Sequence, residues 1–158
     1  MKNLRHSVLC VCITLYSLCS AAQKNDGIPV NEPDLNKPKL FQGLPDNISV
    51  STGNLNSLFG IQAGRPVNIN LSDVSSFQFE GEIVSTASKY GNSIQSVVIR
   101  STNYSGAKFT ISKVTDENGV ITYRGRIISL QHGDLYELQN LDGKYALVKR
   151  NLYDLVNE

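Results

Sequence analysis

Four charged residues in two matching segments are the strongest candidates for chemistry in this sequence. Residues 77–85 read FQFEGEIVS and residues 121–129 read ITYRGRIIS, and corresponding positions lie 44 residues apart. Side chains two positions apart on a strand share a face, about 7 Å from each other. If the two strands are neighbours, opposite charges on them form pairs worth about 0.2–1 kcal/mol each. We therefore predict a cross-strand charge cluster of Glu80, Glu82, Arg124 and Arg126.

The two carboxylates of this cluster also match a catalytic spacing. An acid and a base about 7 Å apart can hydrolyse a glycosidic bond, provided that one of them holds a proton. Arginines beside Glu80 and Glu82 would keep both side chains ionised. We therefore expect no catalysis from this pair.

The other catalytic templates are incomplete. His132 is the single histidine after residue 22, so no second histidine completes a zinc site. Asp134 is close in sequence, but the G-x-S-x-G motif of serine hydrolases does not occur. The run 116–119 (DENG) lacks the ligand spacing of a calcium loop and favours a hairpin turn. We expect no metal, no cofactor and no enzyme activity, with a small hydrolase of unrecognised site as an alternative.

A glycine stands at the centre of each matching segment, Gly81 in the first and Gly125 in the second. A glycine inside a strand typically permits a bulge or the close approach of another backbone. We interpret both as structural glycines. The alternative is a duplicated unit in which the two strands occupy equivalent places.

Turn residues divide the second half of the chain into a meander. Asn118-Gly119 is a two-residue hairpin signal between strands at 107–115 and 120–130. Two further turns are predicted, His132-Gly133 before a strand at 134–140 and Asp142-Gly143 before a strand at 144–149. We interpret Gly119 and Gly143 as structural glycines of these hairpins.

The alternating apolar pattern predicts an all-β fold, an antiparallel meander that forms a small barrel or sandwich. Short helical turns are predicted near 54–59 and 151–156, where apolar residues recur at helical spacing.

The three cysteines lie within the first 22 residues, and this segment has the pattern of an export signal. Lys2 and Arg5 precede a short apolar run at 8–18, and small residues follow it. We predict a signal peptide at 1–22 and export to the periplasm or the extracellular space. Leu18 precedes Cys19 where a lipoprotein needs a small residue, so lipid anchoring at Cys19 is not expected. The mature chain then has no cysteine for thiol chemistry or disulfides.

Composition divides the rest of the chain in two. Residues 23–47 hold four of the five prolines and are predicted to form an extended or disordered leader. Residues 48–158 are predicted to form one β-rich domain. Two of the 15 basic residues leave with the signal, against 14 acidic residues, so the mature chain is nearly neutral. We expect no nucleic-acid binding, no anionic membrane attachment and no membrane span after signal removal.

Three segments resemble the β-rich propeptides of secreted zinc metalloproteases. They are Tyr123–Ile127 (YRGRI), Asp134–Leu138 (DLYEL) and Gly143–Leu147 (GKYAL), and residues 79–83 (FEGEI) have the same style. The sequence contains no H-E-x-x-H motif. The resemblance therefore implies a free-standing propeptide-like module that acts in trans, as an inhibitor or folding aid of a secreted protease.

The function predicted from the residues is binding. We expect an exported, non-catalytic β-domain whose sheet or loops contact a protein or polysaccharide partner. Its tyrosines suit either a core margin or a contact surface. The propeptide-like module and the small hydrolase are the two alternatives.

Overall fold

The computed structural model describes residues 38–72 and 77–152, which form one eight-stranded antiparallel sheet. The strands are β1 (Asn47–Val50), β2 (Pro66–Asn70), β3 (Gln78–Lys89), β4 (Ile94–Ser101), β5 (Lys108–Thr115), β6 (Ile121–Ser129), β7 (Asp134–Leu141) and β8 (Lys144–Asn151). Helix α1 (Thr52–Ser57) and a 3-10 turn (Leu58–Gly60) lie between β1 and β2, where a helical turn was predicted. The signal peptide, most of the leader and almost all of the turn predicted near 151–156 lie outside the described residues.

The sheet is a meander that curls into a half-barrel, which confirms the predicted all-β class. Its strand order is β1-β8-β7-β6-β5-β4-β3-β2, so each strand from β2 to β7 pairs with the strand that follows it in sequence. The two edge strands meet at one point. There the Ser51 N–H donates to the Leu71 carbonyl at 3.1 Å, and the Asn54 side chain donates to the Asn70 carbonyl at 2.8 Å.

The core lies on the concave face of the curled sheet. Period-two alternation places one apolar row of each strand on this face, because successive side chains point to opposite sides. The inward row includes Ile48, Val67, Phe79, Ile83, Ile99, Phe109, Ile111, Ile127 and Leu147, all buried. Leu55 of α1 and Leu58 of the 3-10 turn are fully buried against it.

The segment 38–46, which we call the plug, packs against one end of the sheet. The predicted leader extended to residue 47, but Phe41 within it is fully buried. The ring of Phe41 lies 5.6 Å from the ring of Tyr104 and 5.2 Å from that of Tyr136. The Phe41 N–H donates to the Asp134 carboxylate at 3.2 Å. Because Phe41 is buried in the core, the ordered domain begins before residue 47. The high proline content of this segment had favoured an extended leader over a packed one.

Two predicted hairpins differ in their turn chemistry. Asp142 and Gly143 both have positive φ, 52° and 85°, and join Leu141 directly to Lys144 as a two-residue turn. The Asn118-Gly119 hairpin is in its predicted place, but its loop spans residues 116–120 and not two residues.

The Asp116 side chain explains the longer loop. Its carboxylate accepts the N–H groups of Asn118 at 2.9 Å and Val120 at 2.8 Å. Only Gly119 needs positive φ there, at 80°. An aspartate that satisfies two backbone donors stabilises a wider turn than the Asn-Gly pair alone would form.

Candidate functional site

The two central glycines occupy strand positions where a side chain would meet the neighbouring strand. A Cβ atom on Gly81 would lie 2.3 Å from the Arg100 carbonyl oxygen and 2.8 Å from Ile99 Cγ2. A Cβ atom on Gly125 would lie 2.7 Å from the Thr110 carbonyl oxygen. The interpretation of both as glycines of close backbone approach is therefore correct. Glycine at each position allows the backbone of the neighbouring strand to approach closely.

The predicted charge cluster does not form. Strands β4 and β5 lie between β3 and β6, which separates Glu80 and Glu82 from Arg124 and Arg126 by three strand spacings, about 14 Å. Glu82 instead pairs with Arg100 on β4 at 3.5 Å. The alternating pattern places charges on a face, but it carries no information about which strands are neighbours.

Arg124 and Arg126 remain together on the outer face of β6, beside a hollow of about 480 Å³. The other lining residues include the Thr110 and Ser112 hydroxyl groups of β5, and Glu137 of β7. Within residues 38–72 and 77–152, no ion pair or side-chain hydrogen bond involves either guanidinium.

Glu137 does not neutralise the arginine that faces it. Arg126 and Glu137 are directly opposite in the register of β6 and β7. The Glu137 carboxylate instead accepts the Gln139 side-chain amide at 2.7 Å and lies 3.8 Å from Arg150. Arg126 therefore keeps its charge available on the sheet surface.

The hollow lies where β6 and β7 separate. Their pairing runs from Ser129–Asp134 to Gly125–Leu138 and ends there. Beyond that point the Tyr123 N–H donates to the Tyr145 hydroxyl of β8 at 3.0 Å. A buried side chain thus replaces a missing backbone partner at the opening.

Positive charge is concentrated on the outer face of the neighbouring strands. Residues 83–115 contain no aspartate or glutamate but include four basic residues. Lys89, Arg100 and Lys108 lie on the outer face, whereas Lys113 lies on the inner face, where its ammonium group donates to the Asn56 side chain at 3.1 Å. Arg100 and Lys108 stand directly opposite each other on β4 and β5, an arrangement of like charges that destabilises a sheet. We call Arg100, Lys108, Arg124 and Arg126 the basic surface.

Ser129, His132 and Asp134 are the serine, histidine and acid that lie closest together for a hydrolase site. Ser129 Oγ and His132 Nδ1 are 2.8 Å apart. The serine is fully buried, however, and the carboxylate of Asp134 accepts the backbone N–H of Phe41 and forms no hydrogen bond with the histidine. A triad needs an accessible hydroxyl and an acid that orients the histidine, so this cluster does not assemble one.

These contacts instead fix the β6–β7 turn to the plug. Lys39 donates to the carbonyl oxygens of His132 at 3.0 Å and Gly133 at 3.2 Å. The Tyr136 hydroxyl donates to the Pro45 carbonyl. Burial, with a smaller effect of nearby carboxylates, raises the pKa of Tyr136. The cluster stabilises one end of the fold.

Comparison of the chain with protein-family models, with curated proteins and with solved structures finds no match. The propeptide resemblance therefore stays a prediction.

The described ranges show neither a metal-binding cluster nor a membrane-spanning helix. No group of three histidine, cysteine or acidic side chains there is placed to hold a metal ion. No helix within residues 38–72 and 77–152 has the length and apolar character needed to cross a membrane.

Sequence reasoning found the two arginines but gave them the wrong partners. The stretch 83–115 contains a signal that could have corrected it, because Arg100 offers Glu82 a partner much nearer in sequence than Arg124 or Arg126. Near-neutral total charge concealed the uneven distribution of charge along the chain.

Proposed function

We propose that this chain is an exported, non-catalytic β-domain that binds a partner carrying repeated anionic groups, a protein segment or a polymer, through the basic surface. The observation that supports this most strongly is the pair Arg124 and Arg126, which line a hollow without any ion pair among the described residues. Export is supported by the residue pattern of the first 22 residues.

The chemistry of the hollow suits an anion. A guanidinium presents five donors in a planar fork that matches carboxylate, sulfate or phosphate. The hydroxyl groups of Thr110 and Ser112 line the same hollow and add neutral donors. Together these groups offer an anion both charge and directed hydrogen bonds.

The spacing of the two arginines suits an extended partner. Arg124 and Arg126 are two positions apart on one strand, so their side chains emerge about 7 Å from each other. Anionic groups that repeat at a similar distance along a chain can contact both at once. Exposed charges are screened by salt, so binding of this kind weakens as ionic strength rises.

The test is calorimetric titration of the mature chain with polyglutamate and with dextran sulfate. Both probes are polyanions, and they separate carboxylate from sulfate recognition. We expect binding at low salt, and about tenfold weaker binding by the double variant Arg124→Gln/Arg126→Gln, because charge-assisted contacts are lost.

The matched control is Arg65→Gln/Lys144→Gln, which removes the same charge from exposed positions outside the basic surface. It should bind nearly as well as the unmodified chain. Equal loss in both double variants would mean that only net charge matters. Absence of binding to both probes at low salt would also contradict the proposal.

A further inference from the structure

Strand β3 extends well beyond its neighbour β2. β2 pairs with residues 78–82 of the twelve-residue β3, and Ile83 exchanges backbone hydrogen bonds with Gly64 and Arg65. From Val84 to Lys89, no described residue pairs with β3 on that side, although β4 pairs with the other side as far as Lys89. We call residues 84–89 the open edge.

The open edge presents backbone groups in a fixed alternation. The Ser101 N–H donates to Ala107 on the β5 side, so odd-numbered residues of β4 face β5 and even-numbered ones face β3. After the bulge at Val84, Ser96 of β4 is opposite Ala87. The N–H and C=O groups of Thr86 and Ser88 therefore point away from β4, toward the open side.

A hollow lies on each face of the sheet beside this edge. One, of about 220 Å³, has Phe59, Ile61 and Val97 in its lining, beside Thr86 and other polar residues. The other, of about 490 Å³, is lined on the opposite face by residues that include Ala87, Tyr90 and Ile94. An added strand sends successive side chains to opposite faces. Its alternate residues would thus enter the two hollows in turn.

Charge identifies the kind of strand that fits. Arg65 lies beside one end of the open edge and Lys89 forms the other, and residues 83–115 contain no carboxylate. Antiparallel pairing of two copies would place Lys89 of one beside Arg65 of the other, and like charges repel. A second copy is therefore a poor occupant, whereas a peptide with acidic ends is complementary.

We propose that the open edge of β3 binds an extended acidic peptide of a partner protein by strand addition. The main-chain groups of Thr86 and Ser88 hold the added strand, and the two hollows receive its alternate apolar side chains, as in other sheets that bind peptides at an edge. This surface is separate from the basic surface, and the proposal does not rest on anion binding there.

The test uses the mature chain and a defined probe. The probe is a capped seven-residue peptide with aspartate at both ends and alternating valine and threonine between them. Two further peptides carry N-methyl groups on the odd or on the even positions, which removes alternate backbone donors. A last peptide has lysine at both ends. Binding is followed by fluorescence anisotropy and by amide hydrogen exchange of the protein.

We expect one N-methylated peptide to bind about tenfold more weakly while the other binds nearly as well as the parent, because only alternate donors face the edge. The lysine peptide should bind more weakly than the parent. Thr86 and Ser88 amides should exchange rapidly in the free protein and slowly in the complex. The Ala87 amide, already paired with β4, should change little.

Equal effects of the two N-methylated peptides would overturn the proposal, as would unchanged exchange at Thr86 and Ser88. Self-association of the chain through this edge, measured by sedimentation, would also overturn it. The variant Arg124→Gln/Arg126→Gln separates the two proposals, because it should bind this peptide as the unmodified chain does. Loss of peptide binding in that variant would place the peptide on the basic surface and contradict the edge.

Discussion

The two glycine-centred strands share a sequence pattern but differ in what surrounds it. In β3 and in β6 the glycine lies where the backbone of the next strand approaches too closely for a side chain. The flanking charges have different fates. Glu82 of β3 pairs with Arg100, whereas neither Arg124 nor Arg126 of β6 has an ion pair in the described ranges. The shared pattern therefore reflects a backbone requirement, and the difference in charge indicates where binding is expected.

The glycines should give the largest effects in this comparison. We expect Gly81→Ala to lower the free energy of unfolding by about 3 kcal/mol, because the added Cβ atom meets a carbonyl oxygen that cannot move without its strand. Gly125→Ala should cost less, about 2 kcal/mol, since its closest contact is longer. Urea unfolding measures both.

The matched control for the two glycines is Gly60→Ala. No atom lies within 4 Å of the added Cβ there, and we expect a change within about 0.5 kcal/mol. If Gly81→Ala were as stable as this control, the close-approach account of the pattern would be wrong.

At the opening beside β6, the Tyr145 hydroxyl replaces a missing backbone partner, and Tyr145→Phe isolates its contribution. Loss of the hydroxyl leaves the buried Tyr123 N–H without its acceptor, at an expected cost of about 1–3 kcal/mol. The Tyr104→Phe variant serves as control, because no hydrogen bond involves that hydroxyl group within the described residues. Equal stability of the two variants in thermal unfolding would refute the role of Tyr145.

Tyr123 in β6 and Phe79 in β3 each stand two positions before the central glycine. The effect of alkaline pH on stability should distinguish them. Burial, and to a lesser degree Tyr145, raises the pKa of Tyr123 above its ordinary value of 10.0, whereas Phe79 of β3 does not titrate. A raised folded-state pKa gives stability that is fully present below pH 10 and lost as pH rises through the folded-state pKa. Between pH 9 and pH 11, about one unit either side of that value, Tyr123→Phe should lose less stability than the unmodified chain. A parallel decline of both would contradict this.

The paired charge of β3 should have the smallest effect. Glu82 and Arg100 are both largely exposed at 3.5 Å, so Glu82→Gln should change stability by less than about 1 kcal/mol. The effect should shrink further at high salt, which chemical unfolding at two ionic strengths would show. A large, salt-independent loss would mean that the pair is structural.

Much of the fold followed from local patterns in the sequence. Alternation predicted the strands, and Asp142-Gly143 predicted its own turn because two positive φ values require such residues. The predicted leader ran too far because proline content outweighed the single buried anchor Phe41. The size of the turn at Asn118-Gly119 depends on Asp116, whose carboxylate accepts the N–H groups two and four residues further along the chain.

The candidate site was less accessible to sequence reasoning. Period-two patterns give the face of a residue but not the order of strands in a sheet. Placing Glu80 and Glu82 opposite Arg124 and Arg126 required β3 and β6 to be neighbours, and the meander separates them. The hollow itself arises where β6 and β7 part at Gly125 and Leu138, which is a property of the register.

The most direct test of the central claim is titration of Arg124→Glu/Arg126→Glu with polyglutamate and dextran sulfate at low salt. This variant gives β6 the charges of β3 and leaves Gly125 in place. We predict no detectable binding of either polymer. The unfolding midpoint should fall slightly, because the new carboxylate at position 126 stands opposite Glu137. Binding as tight as that of the unmodified chain would contradict the account.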